Sequence, residues 1–164
     1  MLFRSFAFAP VLMAVCRFFL VVLAASTGFE GVTGLSIWSG LALAAYVGGL
    51  SAVARKENSK AKPPAWPCLF LAAPLVLAFL VNQGSPWKWH GLLLSAVLAI
   101  WVLRSLYFAF WAPQRNVGRA VGGLLAGIVL VDLLAFGAVS FGASLVFVSL
   151  FLLALLFQQI IPAT

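Results

Sequence analysis

Apolar and polar positions alternate in blocks that divide the chain into six apolar stretches, at about 6–26, 35–54, 65–83, 91–111, 118–136 and 143–161. Each approaches the roughly 20 residues that a helix needs to cross a hydrocarbon core about 30 Å thick. Short polar or Gly/Pro segments separate them. Thr27-Gly28-Phe29-Glu30-Gly31 follows the first, and the run from Arg55 to Pro64 follows the second. Asn82-Gln83-Gly84-Ser85-Pro86 and Pro113-Gln114-Arg115-Asn116 close the third and fourth, and the break between Gly137 and Gly142 is the weakest. Lipid offers no hydrogen-bond partners to a bare backbone, so only helices or closed barrels cross it. The pattern predicts an all-α, polytopic membrane bundle of about six transmembrane helices, forming a single domain over residues 1–164.

Composition sharpens that picture. Of 164 residues, 65% are hydrophobic and 8% charged, whereas a soluble domain carries about 25% charged residues. So few charges cannot clothe a soluble surface, and so many apolar and aromatic residues exclude a disordered chain. The net charge of +7 does not point to nucleic acid, because no soluble basic domain with interleaved aromatic residues is present to hold it. The three acids, Glu30, Glu57 and Asp132, lie far apart. That removes most mechanisms built on paired carboxylates. Cys16 and Cys68 have no ligand-like spacing and read as small apolar packing residues.

The ten cations set an orientation. With the N-terminus inside, Arg4, Arg55, Lys56, Lys60, Lys62, Arg115 and Arg119 fall on the cytoplasmic side and only Lys88 falls outside. Positive residues concentrate on the cytoplasmic side of membrane proteins, so both termini are expected there. Trp38, Trp87 and Trp89 then belong at the outer interface and Trp66 and Trp111 at the inner one, leaving Trp101 mid-span. The first stretch is read as a span and not as a cleaved signal peptide, because Arg17 splits its apolar core.

Arg17 is the most informative residue. It lies roughly 16 Å into its span at 1.5 Å per residue, where an arginine costs at least about 2.5–3.5 kcal/mol and therefore faces the bundle or a watery cavity. Two roles are open to it: binding an anion, or pairing structurally with Asp132. Arg104 stands close enough to the end of its span to snorkel to the interface. Gly118-x-x-x-Gly122, Gly123-x-x-x-Gly127 and Ala44-x-x-x-Gly48-x-x-x-Ala52 mark places where helix backbones approach closely within the chain. The polar run 55–62 reads as ordinary anchoring beside anionic head groups or as the mouth of a site for a lipid diphosphate.

Two segments carry a family likeness. The run from Ala9 to Leu23, APVLMAVCRFFLVVL, and the run from Asn116 to Asp132, NVGRAVGGLLAGIVLVD, resemble in order and spacing two helices of the UbiA-like polyprenyl transferases. The likeness is to the branch related to cyanobacterial ebo-cluster membrane proteins. It extends over essentially the whole chain but corresponds to the C-terminal half of the family's fold. The resemblance implies a bundle that handles a polyprenyl diphosphate in a bacterial cytoplasmic membrane. In that family, two Asp-rich motifs hold Mg²⁺ on the diphosphate while the prenyl group passes to an acceptor that is often aromatic.

Carried over residue by residue, the likeness assigns substrate binding to Arg17, Arg55 and Glu57, with Glu57 also the candidate Mg²⁺ ligand. Arg119 and Asp132 match without a defined role. The first Asp-rich motif is absent, and Ala54-Arg55-Lys56-Glu57-Asn58 stands where the second is expected, with one acid in place of two or three. Phe18-Phe19-Leu20 also replaces a stretch in which the family carries Asn. The expectation is therefore a truncated or split C-terminal half, inactive alone and completed by an N-terminal half as a separate chain. The alternative is a non-catalytic integral membrane protein that aids lipid or metabolite binding or export.

Overall fold

The computed structural model describes residues 9–29, 31–55, 66–81, 88–111, 117–135 and 141–160. Among them all regular structure is helical: α1 (Ala9–Ser26), α2 (Gly34–Ala54), a 3₁₀ helix (Trp66–Ala72) running into α3 (Ala73–Val81), α4 (Lys88–Phe110), α5 (Val117–Ala135) and α6 (Phe141–Ile160). Three helices are long and apolar enough to cross a membrane: Gly34–Ala54, Gly91–Phe110 and Val117–Ala135. The stretches Pro10–Ser26, Trp66–Leu80 and Ser144–Phe157 are also apolar but shorter. The chain is a helical membrane protein.

The helix ends follow local chemistry. α1 closes with the Ser26 and Thr27 hydroxyls donating to the carbonyls of Leu23 and Ala24. Gly31 then adopts a positive φ of 65°, a conformation open to glycine because it lacks a Cβ. α2 begins at a reciprocal cap, in which Thr33 Oγ1 accepts from the Ser36 N–H and Ser36 Oγ accepts from the Thr33 N–H. Such a cap satisfies donors that the first turn leaves without intrahelical partners. The third apolar stretch departs from a single α-helix. Pro74 has no N–H to give to the carbonyl four residues back, so the α-helical bond at Phe70 cannot form, and the segment before it winds as a 3₁₀ helix.

α2 and α5 form the centre. In their membrane-length windows 50% and 61% of residues are buried, against 22% in α4. α2 packs on α1, the 3₁₀ helix, α3 and α5, while α5 packs on α2, α3, α4 and α6. The core gathers Leu43, Tyr46, Val47 and Leu50 of α2 with Leu98 and Val102 of α4 and Leu124, Leu130, Val131 and Leu134 of α5. α1 and α6 flank this centre and turn large apolar side chains outward, among them Leu12, Phe19 and Leu23 of α1 and Leu145, Leu152 and Phe157 of α6.

Glycines set how closely the central helices approach. A Cβ built at Gly49 would stand 2.7 Å from the Pro67 carbonyl oxygen, so α2 and the 3₁₀ helix meet backbone to backbone. Gly40 receives the Phe18 ring of α1, and Gly48 faces Ala14 across a looser gap. Met13 Sδ accepts a long hydrogen bond of 3.7 Å from Ser51 Oγ. These pairs rise along α1 as they fall along α2, so the two helices are antiparallel.

The two cysteines separate. Cys68 packs against the core, whereas Cys16 lies on the exposed side of α1, so the reading of Cys16 as a packing residue does not hold.

Candidate functional site

Arg17 belongs to α1, whose contact with α2 is made by Ala14, Phe18 and Val21. Arg17 follows Ala14 by three residues and precedes Val21 by four, and that spacing puts it on the flank of this seam. Its side chain is exposed, yet its guanidinium stands within electrostatic reach of the half-buried Asp132 carboxyl on α5. α1 packs along α2, and α2 packs on α5, so the two charges act on one another between α1 and α5. Leu125, two helical turns before Asp132 on the same face of α5, is exposed.

Arg55, the other described residue assigned by sequence, lies apart from Arg17. Arg55 forms the C-cap of α2, is exposed, and donates its backbone N–H to the Ser51 carbonyl. Ser51 lies opposite Met13. Arg55 and Arg17 thus project from points roughly 12 Å apart along the helix axes, at 1.5 Å per residue. Glu57 lies outside the described residues, as do Glu30, Arg4, Lys56, Lys60, Lys62, Trp87 and Arg115.

Mg²⁺ requires several hard oxygen ligands. Among the described residues no three His, Cys, Asp or Glu side chains come together. Asp132, the one described acid, lies within electrostatic reach of Arg17, and Glu57, the candidate Mg²⁺ ligand, lies outside the described residues.

A second polar centre, buried in the bundle, was not foreseen from the pattern of charges. Tyr46 of α2, fully buried, donates its hydroxyl to the Leu124 carbonyl at 2.9 Å. Trp101 of α4 donates Nε1–H to the neighbouring Gly123 carbonyl at 2.7 Å. Gly127 makes room for both rings: a Cβ there would stand 2.5 Å from Tyr46 Oη and 3.4 Å from the Trp101 ring. Gly123 makes room for the buried Ser105 side chain in the same way. The Gly123-x-x-x-Gly127 pair is therefore an intrachain contact, as its spacing predicted. Among the described residues no buried side-chain nitrogen or oxygen lacks a hydrogen-bond partner. The signal that pointed here was a tyrosine and a tryptophan inside apolar spans, since such rings need a partner for their polar atom when buried.

Aromatic rings partner the remaining described arginines. The Arg104 guanidinium carbon lies 5.9 Å from the centroid of the Trp101 ring. This contact is one turn back along α4, so Arg104 packs on a ring and does not extend past the end of the helix. Arg119 lies 4.7 Å above the Phe108 ring. Trp38, Trp66, Trp89 and Trp111 are all exposed near helix ends, the arrangement expected of interfacial tryptophans.

Compared with known protein families, with curated proteins and with solved structures, the chain finds no match.

Proposed function

We propose that the chain is a six-span membrane bundle related to the C-terminal half of the UbiA-like prenyltransferases. On this reading it binds a polyprenyl diphosphate from the cytoplasmic side of a bacterial cytoplasmic membrane, and both termini lie on that side. The observation that supports this reading is that Arg17 and Asp132, each set in an apolar helix, lie within electrostatic reach of one another. A cation held at membrane depth beside apolar surface suits an amphiphile with an anionic head. The diphosphate takes the Arg17 guanidinium, the prenyl tail lies along α5 beside Leu125, and Asp132 balances the arginine when no ligand is bound. Arg55 and Glu57 are assigned to the substrate by the resemblance alone. Prenyl transfer itself needs carboxylates that three acids cannot supply, so turnover requires a partner half that carries the Asp-rich loop.

Binding of geranylgeranyl diphosphate to the full chain in nanodiscs tests this reading. Arg17→Gln is expected to weaken binding about tenfold or more, in line with the worth of a charge-assisted hydrogen bond. Asp132→Asn, which removes the competing carboxylate, is expected to tighten it. Equal affinity for the native chain and the Arg17→Gln variant sinks the proposal. If both bind and co-expression with an upstream half never yields prenyl transfer, the second reading stands: a non-catalytic membrane protein that binds a prenyl lipid or metabolite. The poverty in acids favours that reading for the chain in isolation.

A further inference from the structure

Arg104 is a cation on the outer surface of the bundle. It lies within the membrane-length window Gly91–Phe110 of α4, about 9 Å along the axis before its end, and its side chain is exposed. Only 22% of that window is buried, the least among the three membrane-length helices. A charged side chain in a membrane helix ordinarily turns to the bundle interior or pairs with another polar group. Among the described residues Arg104 finds no carboxylate: Asp132 is the one described acid, and it acts on Arg17 of α1.

The direction of the side chain sets the depth of the charge. Long side chains on a helix lean back over the preceding turn, and the Arg104 guanidinium carbon lies 5.9 Å from the centroid of the Trp101 ring, one turn further from the Phe110 end. Trp101 is itself fixed, by its Nε1–H bond to the Gly123 carbonyl and its edge-on contact with Phe151 of α6. The cation is thus held at the level of the apolar span and not drawn out past the helix end.

Neighbouring positions extend this surface. Leu93, Val97, Ile100, Arg104, Tyr107 and Trp111 recur at alternating intervals of four and three residues, and all are exposed. Trp111 continues the spiral, its N–H donating to the Tyr107 carbonyl at 2.9 Å. This is the 3.5-residue spacing of a seam along which a second helix packs with a left-handed crossing. A single polar residue in such a seam specifies register and partner.

Charge and depth select the occupant. A second copy of this chain would share its orientation in the membrane, and a two-fold contact through the seam would set Arg104 against Arg104. The phosphate of an anionic lipid lies among the head groups, the level of interfacial tryptophans such as Trp111. That is about 10 Å along the axis from Arg104, on the side from which its guanidinium turns away. A carboxylate carried within a neighbouring transmembrane helix meets the guanidinium at its own depth and offers a charge-assisted, bidentate partner.

We infer that the seam of α4 at 93–111 is a docking surface for a transmembrane helix of another protein, one that carries a carboxylate at the depth of Arg104. The apolar positions pack on that helix, and the arginine selects it. The surface is separate from the Arg17 and Asp132 pair and does not depend on the prenyl diphosphate reading.

Energy transfer between the full chain and a membrane-spanning probe peptide, both in phosphatidylcholine vesicles, tests this. The probe is a leucine–alanine helix with one Glu at the depth of Arg104, and its control carries Gln there. The native chain is expected to bind the Glu probe about fivefold more tightly than the control, the scale of a strong polar contact between membrane helices. Arg104→Gln should erase that preference, Arg104→Lys should retain part of it, and Arg17→Gln should leave it unchanged. Equal association of the native chain with the two peptides overturns the inference, whether or not the Arg104→Gln variant folds. So does a preference that survives Arg104→Gln, or one that is lost in Arg17→Gln. A preference that disappears when phosphatidylglycerol enters the vesicles assigns the arginine to a lipid and overturns it too.

Discussion

α5 and α6 are neighbours in sequence and both strongly apolar, yet one lies at the centre of the bundle and the other at its rim. Leu124 of α5 is fully buried, whereas Leu153 of α6 is 50% exposed. Apolarity does not distinguish them. In lipid an apolar side chain gains little by turning inward, so close packing and polar contacts decide which helix is central. α5 has glycines at 123 and 127 that admit Ser105, Tyr46 and Trp101, and two carbonyls that receive buried donors. α2 shares this character through Gly40, Gly49 and Tyr46. α6 meets α5 and presents much of its remaining surface outward.

Substitutions at the centre should therefore be costly and those at the rim nearly silent, as thermal unfolding in detergent can check. The largest loss is expected for Gly49→Ala. Its methyl would press on the Pro67 carbonyl oxygen, a backbone atom that cannot swing aside, and such overpacking costs about 1–3 kcal/mol. Next comes Tyr46→Phe, which removes the donor to the Leu124 carbonyl and should cost about 1 kcal/mol, near the upper range for hydrogen bonds between membrane helices. Gly48→Ala sharpens the contrast from the adjacent residue. Its Cβ would meet only Ala14 at 3.9 Å, so the gain in helix propensity of about 0.5–1 kcal/mol is expected to raise stability. Smallest of all, Leu153→Ala on α6 should change stability by no more than about 0.5 kcal/mol. A loss at Leu153 comparable to that at Gly49 would mean that α6 is covered by protein and that the rim is not a rim.

Much of the helical layout was legible in the sequence. The stretches predicted at 35–54, 91–111 and 118–136 correspond to α2, α4 and α5 within a few residues, because hydropathy and Gly/Pro breakers act locally. The 3₁₀ winding before Pro74 was not foreseen, although the proline that removes the α-helical bond to Phe70 stands in plain view, because a sliding apolar count does not register a missing N–H. Of the candidate site, Arg17 and its Asp132 alternative were legible as charges out of place in apolar runs. What the sequence could not reveal was the distance between Arg17 and Arg55, which depends on the register of α1 against α2. Tyr46 and Trp101 were hidden for a related reason. Their importance lies in carbonyls on another helix, and a carbonyl looks the same at every position in the sequence.

Those two carbonyls have one more consequence. Successive residues of a helix point about 100° apart around its axis, and Gly123 and Leu124 are gripped from different neighbours, α4 and α2. Two holds at different bearings stop a cylinder from spinning where one would leave it free to pivot. A lipid-solvated helix has no wet side to fix its azimuth, so α5 is indexed by hydrogen bonds. Asp132, two turns beyond, owes its bearing around the α5 axis to a tyrosine and a tryptophan on other helices.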